Sequence, residues 1–400
     1  MAAIGRRVHA LVVGLGLVVA SLAITAGVLE VAVRWVDPQD LHRDEGLWAP
    51  DPDRAFRLAP GFRGTEVSHE FRIPIAINSR GLRDREIAPT RPPGTARILV
   101  VGDSFTYGSG VAAEDTYPKR LERLLAERAG VPVEVINAGV SGYGTAHEAA
   151  FLRAEGWAYE PAVVVLQMFP QNDLDENLEP FGREVVDGAL RVRAGRGEGP
   201  AWLRRGQAVV RARSHAYRFL GDRYHLLRIR LGLEPSHAAS LGVYLRRPPA
   251  RVTAGWDATR AQLREIVAMG RQHGRPVVVV HAPALAALDD ERAAAFASFY
   301  RVDRTGLDWD RPGRTLGALC AALGVPYLDL TEAFRATGRS RELYYAHNGH
   351  WNSAGHDQVA RWLLEALVAE KGAWHEAGAG VVGRAPAGAM VRRLQPPTPR

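Results

Sequence analysis

The sequence predicts an α/β protein with a mainly parallel five-stranded sheet, helices on both faces of that sheet, and an N-terminal transmembrane helix. Three observations carry the prediction. Short apolar runs rich in Val, Ile and Leu alternate with helix-period segments from Ile98 onward. Strands that are apolar at every position, instead of every second one, are buried on both faces, as parallel strands are, and their crossovers are right-handed. Polar clusters follow three of these strands, and ligands in such sheets bind at the carboxyl ends of the strands. Finally, the stretch from Ala10 to Leu29 holds no charged residue.

That N-terminal stretch comes first in the chain. About twenty apolar residues cross a hydrocarbon core of roughly 30 Å as a helix. Arg6 and Arg7 precede the run, so its N-terminal flank is expected in the cytoplasm and the rest of the chain outside it. A cleaved signal peptide is the competing reading, because Ser21-Leu22-Ala23 resembles a small-x-small cleavage site. The apolar run continues past that point, which favours an uncleaved anchor over 1–36. Residues 37–96 read as an extension in which Phe71 to Ile87 alternates like a strand before a glycine turn.

The α/β domain is expected over 97–370. Its strands are Ile98 to Gly102, Val133 to Ala138, Ala162 to Phe169, Pro276 to His281 and Pro326 to Leu330. Helical segments run from Tyr117 to Ala129, Ala146 to Ala158, Thr259 to His273, Asp289 to Tyr300 and Arg314 to Leu323, with a last helix from Ala354 to Glu370. An insertion spans about 179–255. Within it, Arg191 to Arg230 holds eleven arginines against Glu198 and Asp222. Interleaved Trp202, Leu203, Val209, Val210, Tyr217, Phe219, Leu220, Tyr224, Leu226 and Leu227 fit one or two amphipathic helices. Such a segment is a solvated cap, or it meets anionic lipid beside the anchor, or it attracts an acidic polysaccharide. The tail from Lys371 to Arg400, rich in Gly, Ala, Pro and Arg, is expected to be disordered.

Composition narrows the classes. Apolar residues make up 46% and charged residues 24%, an ordinary globular balance. The net charge of +7 is no nucleic-acid signature, because only Lys119 and Lys371 among the 51 basic residues are lysine and no nucleic-acid motif is present. The single cysteine, Cys320, excludes an intrachain disulfide and lies in an apolar helical stretch.

Four polar blocks remain. "ILVVGDSFTYGSG" ends a buried strand in Gly-Asp-Ser, placing Ser104 at the strand's carboxyl end. The second strand runs into "INAGVSGYG", the third into "FPQNDLDEN", and "HNGHWNSAGH" precedes the last helix. Gly-Asp-Ser alone reads as a turn. Together the four blocks gather on one rim of the sheet.

In these blocks the chain resembles the SGNH, or GDSL-type, hydrolases. The matching residues are Ser104 in "GDSF", Gly142 in "NAGVSG", Asn172 in "PQND" and His350 in "NGHWN". The resemblance runs from about Phe71 to Glu370 and implies a flavodoxin-like three-layer α/β/α sandwich and no cofactor. More narrowly, the anchor, "INSRGLRD" and "GHWNSAGH" resemble a bacterial membrane-anchored branch similar to alginate O-acetyltransferase-like proteins. The family implies Ser104 as nucleophile and an oxyanion hole from the N–H groups of Ser104 and Gly142 and the amide of Asn172. A serine hydroxyl needs a base within hydrogen-bond reach, and His350 is the candidate.

One position departs from the family pattern. An aspartate is expected two or three residues before the histidine, and Asn348 and His347 stand there. Asparagine can accept the imidazole N–H and hold the useful tautomer, but it does not balance the imidazolium charge. Three explanations stay open: Asn348 supports His350 directly, a carboxylate such as Asp303, Asp308 or Asp310 comes from another loop, or the enzyme is weakened. The first is preferred. His356 is expected to be structural and His347 exposed; a metal held by His347, His350 and His356 lacks acidic or cysteine support. Asp103 and Asp173 are expected to bond backbone N–H groups of their own loops.

The resulting expectation is an extracytoplasmic esterase that hydrolyses or transfers a small acyl group on an envelope carbohydrate or lipid, with an envelope partner protein if it transfers. The alternatives are an O-acetyltransferase-like protein of polysaccharide modification and a non-catalytic carbohydrate-binding member of the fold.

Overall fold

The computed structural model describes residues 2–37, 39, 46–68, 70–128, 132–186, 188–193, 206–207, 209–210, 213–231, 241–300 and 302–369. The expected disordered tail at 371–400 and much of the arginine-rich insertion therefore lie outside the described residues.

Helix α1 (Ala2–Val36) opens the chain. Two short sheets follow, an antiparallel pair of β1 (Trp48–Asp51) with β2 (Ala55–Leu58), and a pair of β3 (Arg63–Val67) with β4 (Arg72–Ala76). The α/β portion then runs β5 (Ala96–Gly102), α2 (Ser104–Tyr107), α3 (Tyr117–Ala126), β6 (Val133–Gly139), α4 (Thr145–Ala154), β7 (Val163–Met168) and α5 (Pro170–Leu178). The hairpin β8 (Arg183–Val186) with β9 (Ala189–Val192) and helix α6 (His215–Arg230) follow. The chain continues through α7 (Ala250–Gln272), β10 (Val277–His281), α8 (Asp290–Tyr300), α9 (Arg311–Leu323), β11 (Tyr327–Asp329), α10 (Thr331–Ala336), α11 (Ser340–Leu343) and α12 (Ser353–Ala369).

Five strands form the central sheet in the order β11-β10-β7-β5-β6, every neighbouring pair parallel. In order of appearance this is the 2-1-3-4-5 arrangement of flavodoxin-like sheets, whose switch point lies between the first and third strands. Here that is the crevice between β5 and β7. The apolar runs explain the burial. Every residue of β5, β7 and β10 is buried, and alternate residues feed opposite faces. Leu99, Val101, Val164 and Leu166 enter one core; Ile98, Val100, Val163 and Val165 enter the other. Arg97 on β5 is fully buried, so it needs partners: Glu134 Oε2 at 2.6 Å and the carbonyls of Pro89 and Tyr159.

The expected strands and helices are present with shifted ends. The helix expected from Thr259 starts at Ala250, directly after Pro249, since proline fits a helix start but not its interior. In the stretch Phe71 to Ile87, expected to alternate like a strand before a glycine turn, the strand is Arg72–Ala76. Beyond it, Asn78 Oδ1 accepts the N–H groups of Arg80 and Leu82, a local competitor to strand pairing. By compactness the chain divides into two units: α1 and α6 with Val67 and Ser68, and all other described elements.

Candidate active site

Ser104 is the first residue of α2, one turn of helix after β5. The glycines at the strand ends let that turn sit tightly on the sheet. A Cβ at Gly102 would collide with Thr106 Oγ1, and one at Gly139 with the backbone of Thr106 and Tyr107. Asp103 caps the helix, its Oδ1 accepting the Phe105 N–H at 2.9 Å. At the other end Gly108, at φ 84°, returns its N–H to the Ser104 carbonyl. Arg83, fully buried, donates to the carbonyls of Tyr107, Gly108 and Val111 at 2.6 to 2.9 Å.

His350 reaches the serine from a short loop. A β-bridge between Tyr344 and Trp351 closes that loop, and Tyr345 N–H donates to the His350 carbonyl at 2.8 Å. The imidazole Nε2 lies 2.7 Å from Ser104 Oγ, and its Nδ1 lies 2.6 Å from Asn348 Oδ1. Phe105 packs on the ring at 4.9 Å between centroids, backed by fully buried Trp351. Burial lowers the pKa of His350 from 6.5 to about 4, partly offset by hydrogen bonding to Asn348, so the ring is neutral at neutral pH.

Of the three open explanations for the absent aspartate, the remote carboxylates have other partners. Asp303 accepts the Thr305 N–H, Asp308 pairs with Arg314, and Asp310 with Arg335 at 2.6 Å. The group on Nδ1 is Asn348. His347 is exposed, and His356 is fully buried with its Nδ1 accepting the Tyr117 N–H at 3.1 Å.

Gly142 lies in the loop after β6 at φ 84°, a conformation glycine adopts without strain. That loop is fixed by the Tyr143 hydroxyl donating to the Phe56 carbonyl at 2.9 Å. Among the described residues, the N–H groups of Ser104 and Gly142 donate to no backbone carbonyl. Asn172 stands in the first turn of α5, after β7, and its Nδ2 donates to Asp103 Oδ2 at 3.3 Å. Asp173 Oδ2 accepts the Phe169 N–H at 2.8 Å. Thus the cap of the serine helix also steers the asparagine. Burial pushes Asp103 up to about 6. Glu148 and Asp173, buried behind it, lie well above the usual carboxylate range, through burial and then through their negative neighbours.

One residue at the site carries no signal in the sequence. Glu70, just before β4, accepts three successive N–H groups of the histidine loop: Ala346 at 2.6 Å, His347 at 3.0 Å and Asn348 at 2.8 Å. Nothing in "SHEF" marks it, because its partners lie 276 to 278 residues further on.

Sheet and site together define an α/β protein with a serine–histidine pair at the topological switch point. The family comparison agrees: residues 100–358 match the GDSL-like lipase/acylhydrolase family, and the chain belongs to that family, whose members are ester-bond hydrolases. The match is to the family as a whole, without the narrower alginate O-acetyltransferase-like branch. No curated protein matches the chain. Similar solved structures include an α/β hydrolase from the metagenome of Lake Arreo, Spain (16% identity, 68% of this chain and 94% of that one, TM-score 0.38). Others are an acetylxylan esterase from Geobacillus stearothermophilus (14%, 68% and 94%, 0.38) and the lipase/acylhydrolase from Enterococcus faecalis (16%, 68% and 95%, 0.37).

Proposed function

We propose that the chain is a membrane-anchored serine esterase that removes a small acyl group from an envelope carbohydrate or lipid through an acyl-Ser104 intermediate. The observation that carries the reading is the hydrogen-bonded series Asn348–His350–Ser104, with steps of 2.6 and 2.7 Å. With Nδ1–H donated to Asn348 Oδ1, the neutral ring keeps its Nε2 lone pair toward Ser104 Oγ. As Oγ attacks the ester carbonyl, Nε2 takes its proton. The carbonyl oxygen becomes an anion, and the N–H groups of Ser104 and Gly142 with the Asn172 amide are the donors placed to bind it; loss of one such donor typically costs about 10² to 10³ in rate. The imidazolium then protonates the departing alcohol. Water, giving its proton to His350, attacks the acyl-serine, and the imidazolium hands that proton to Ser104 Oγ as the acid leaves. A sugar hydroxyl in place of that water would make the same site a transferase.

Asn348 is also the one feature favouring a non-catalytic carbohydrate-binding protein, since it orients the imidazolium without balancing its charge. The joint retention of Ser104, Gly142, Asn172 and His350 supports the esterase instead. Helix α1 is the anchor in this reading. Its span Val12–Val36 has a mean hydropathy of 2.4, and Arg6 and Arg7 keep the N-terminus in the cytoplasm.

The test is hydrolysis of a short acyl ester by the full-length protein in detergent. Ser104→Ala and His350→Ala are each expected to lower turnover by about 10⁴-fold or more. Undiminished turnover in Ser104→Ala, or none in the wild type with or without a sugar acceptor, would reject the esterase.

A further inference from the structure

Helix α6 presents a surface that ester hydrolysis does not use. Tyr217, Leu220, Tyr224, Leu227 and Leu231 recur at alternating spacings of three and four, which places them on one helix face. All five are exposed, by 41% to 62%. At 3.6 residues per turn, Arg223 and Arg228 fall on opposite borders of this stripe. Their guanidinium groups lie over the rings of Phe219 and Tyr224, at 4.6 and 5.7 Å. The result is an apolar band with cations along both edges.

The position of the band follows from α1. Glu30 accepts the Ser214 hydroxyl at 2.7 Å and the N–H groups of His215 and Ala216 at 3.1 and 2.9 Å. Arg223 approaches Asp37 at 3.7 Å, and Gln39 N–H donates to His215 Nδ1 at 2.8 Å. The first turn of α6 is therefore fixed against the last turns of the apolar span Val12–Val36, where the anchor leaves the hydrocarbon.

We propose that α6 is an interfacial helix, lying in the headgroup layer of an anionic leaflet beside α1 with its Tyr–Leu stripe turned into the acyl boundary. This rests on the reading of α1 as an anchor. The chemistry matches the location at each point. Tyrosine prefers the membrane–water interface, leucine the acyl boundary, and long cationic side chains reach the headgroups while their stems stay in the apolar layer. Each arginine near an anionic surface adds to the attraction. An acidic polysaccharide would be met by the arginines alone and leaves the apolar stripe without a partner.

The test uses the full-length protein reconstituted in vesicles of phosphatidylcholine and phosphatidylglycerol, with an environment-sensitive fluorophore on Leu22→Cys or Leu227→Cys. Cys320 is fully buried, with its thiol pushed up to about 12, and escapes labelling. Spin-labelled lipid is expected to quench both positions and iodide neither, and omitting phosphatidylglycerol is expected to cut quenching at 227 several-fold. Lipid quenching at 22 with iodide quenching at 227 would overturn the interfacial helix while leaving the anchor intact, and would return α6 to solvent or an acidic polysaccharide. Iodide quenching at both positions would reject the anchor and the interfacial helix together. Quenching at 227 that ignores lipid charge would overturn the anionic-leaflet assignment.

Discussion

In the proposed mechanism His350 takes the serine proton only when it starts neutral, so its surroundings set the pH range of the site. Protonation in the free enzyme removes the base, and activity falls as pH drops through the folded pKa. Burial carries that value from 6.5 to about 4. The acid limb of kcat/KM is therefore expected near pH 4, below that of an ordinary histidine. Asn348→Asp places a carboxylate on Nδ1, stabilises the imidazolium, and is expected to raise the midpoint by about 1 to 3 units, with a faster plateau rate. pH–rate profiles of the two proteins check this; coincident limbs would show that residue 348 does not contact the reacting imidazole. Ser104, Gly142, Asn172 and His350 could be singled out in the sequence because their blocks resemble those of the SGNH hydrolases, and Asn348 because it stands where that pattern has an aspartate. For the partner of Nδ1 the sequence favours Asn348 but leaves remote acids open, and in the structure Asn348 holds Nδ1 while Asp303, Asp308 and Asp310 are bonded elsewhere.

At the scale of elements, the site is two short pieces held from outside. Arg83 grips the carbonyls that end α2, and Glu70 grips the N–H groups that lead into His350. Charge-assisted hydrogen bonds are about twice as strong as neutral ones, so Glu70 fixes the loop geometry on which the 2.6 Å contact of Asn348 depends. Glu70→Ala is expected to lower kcat about 10- to 100-fold with KM nearly unchanged, and Glu70→Gln, which keeps an acceptor oxygen, to recover part of the loss. Steady-state kinetics beside a thermal melt decide the point. A lowered melting temperature with unchanged kcat would make Glu70 a merely structural residue. Sequence periodicity finds neither grip, since each joins residues far apart in the chain through backbone atoms. The pairs β1–β2 and β8–β9 were hidden for a related reason: strands of four residues are too short to show a period.

At the scale of the molecule, the strand order decides where chemistry is possible. The continuous apolar runs of β5, β7 and β10 made the buried parallel sheet legible, and the 2-1-3-4-5 order then sets Ser104 and Asn172 on either side of the switch point. The division into two units was not legible, because α1 and α6 lie far apart in sequence and meet through Glu30. All of this architecture serves one claim, that Ser104 is a nucleophile activated by His350. The most direct measurement is intact and peptide mass spectrometry of the full-length protein after exposure to a fluorophosphonate, whose fluoride the Ser104 oxygen would displace. One adduct on the Ser104 peptide is predicted, absent in Ser104→Ala and formed at least about 100-fold more slowly in His350→Ala. An unmodified Ser104 peptide, or the same adduct in Ser104→Ala, would contradict the account.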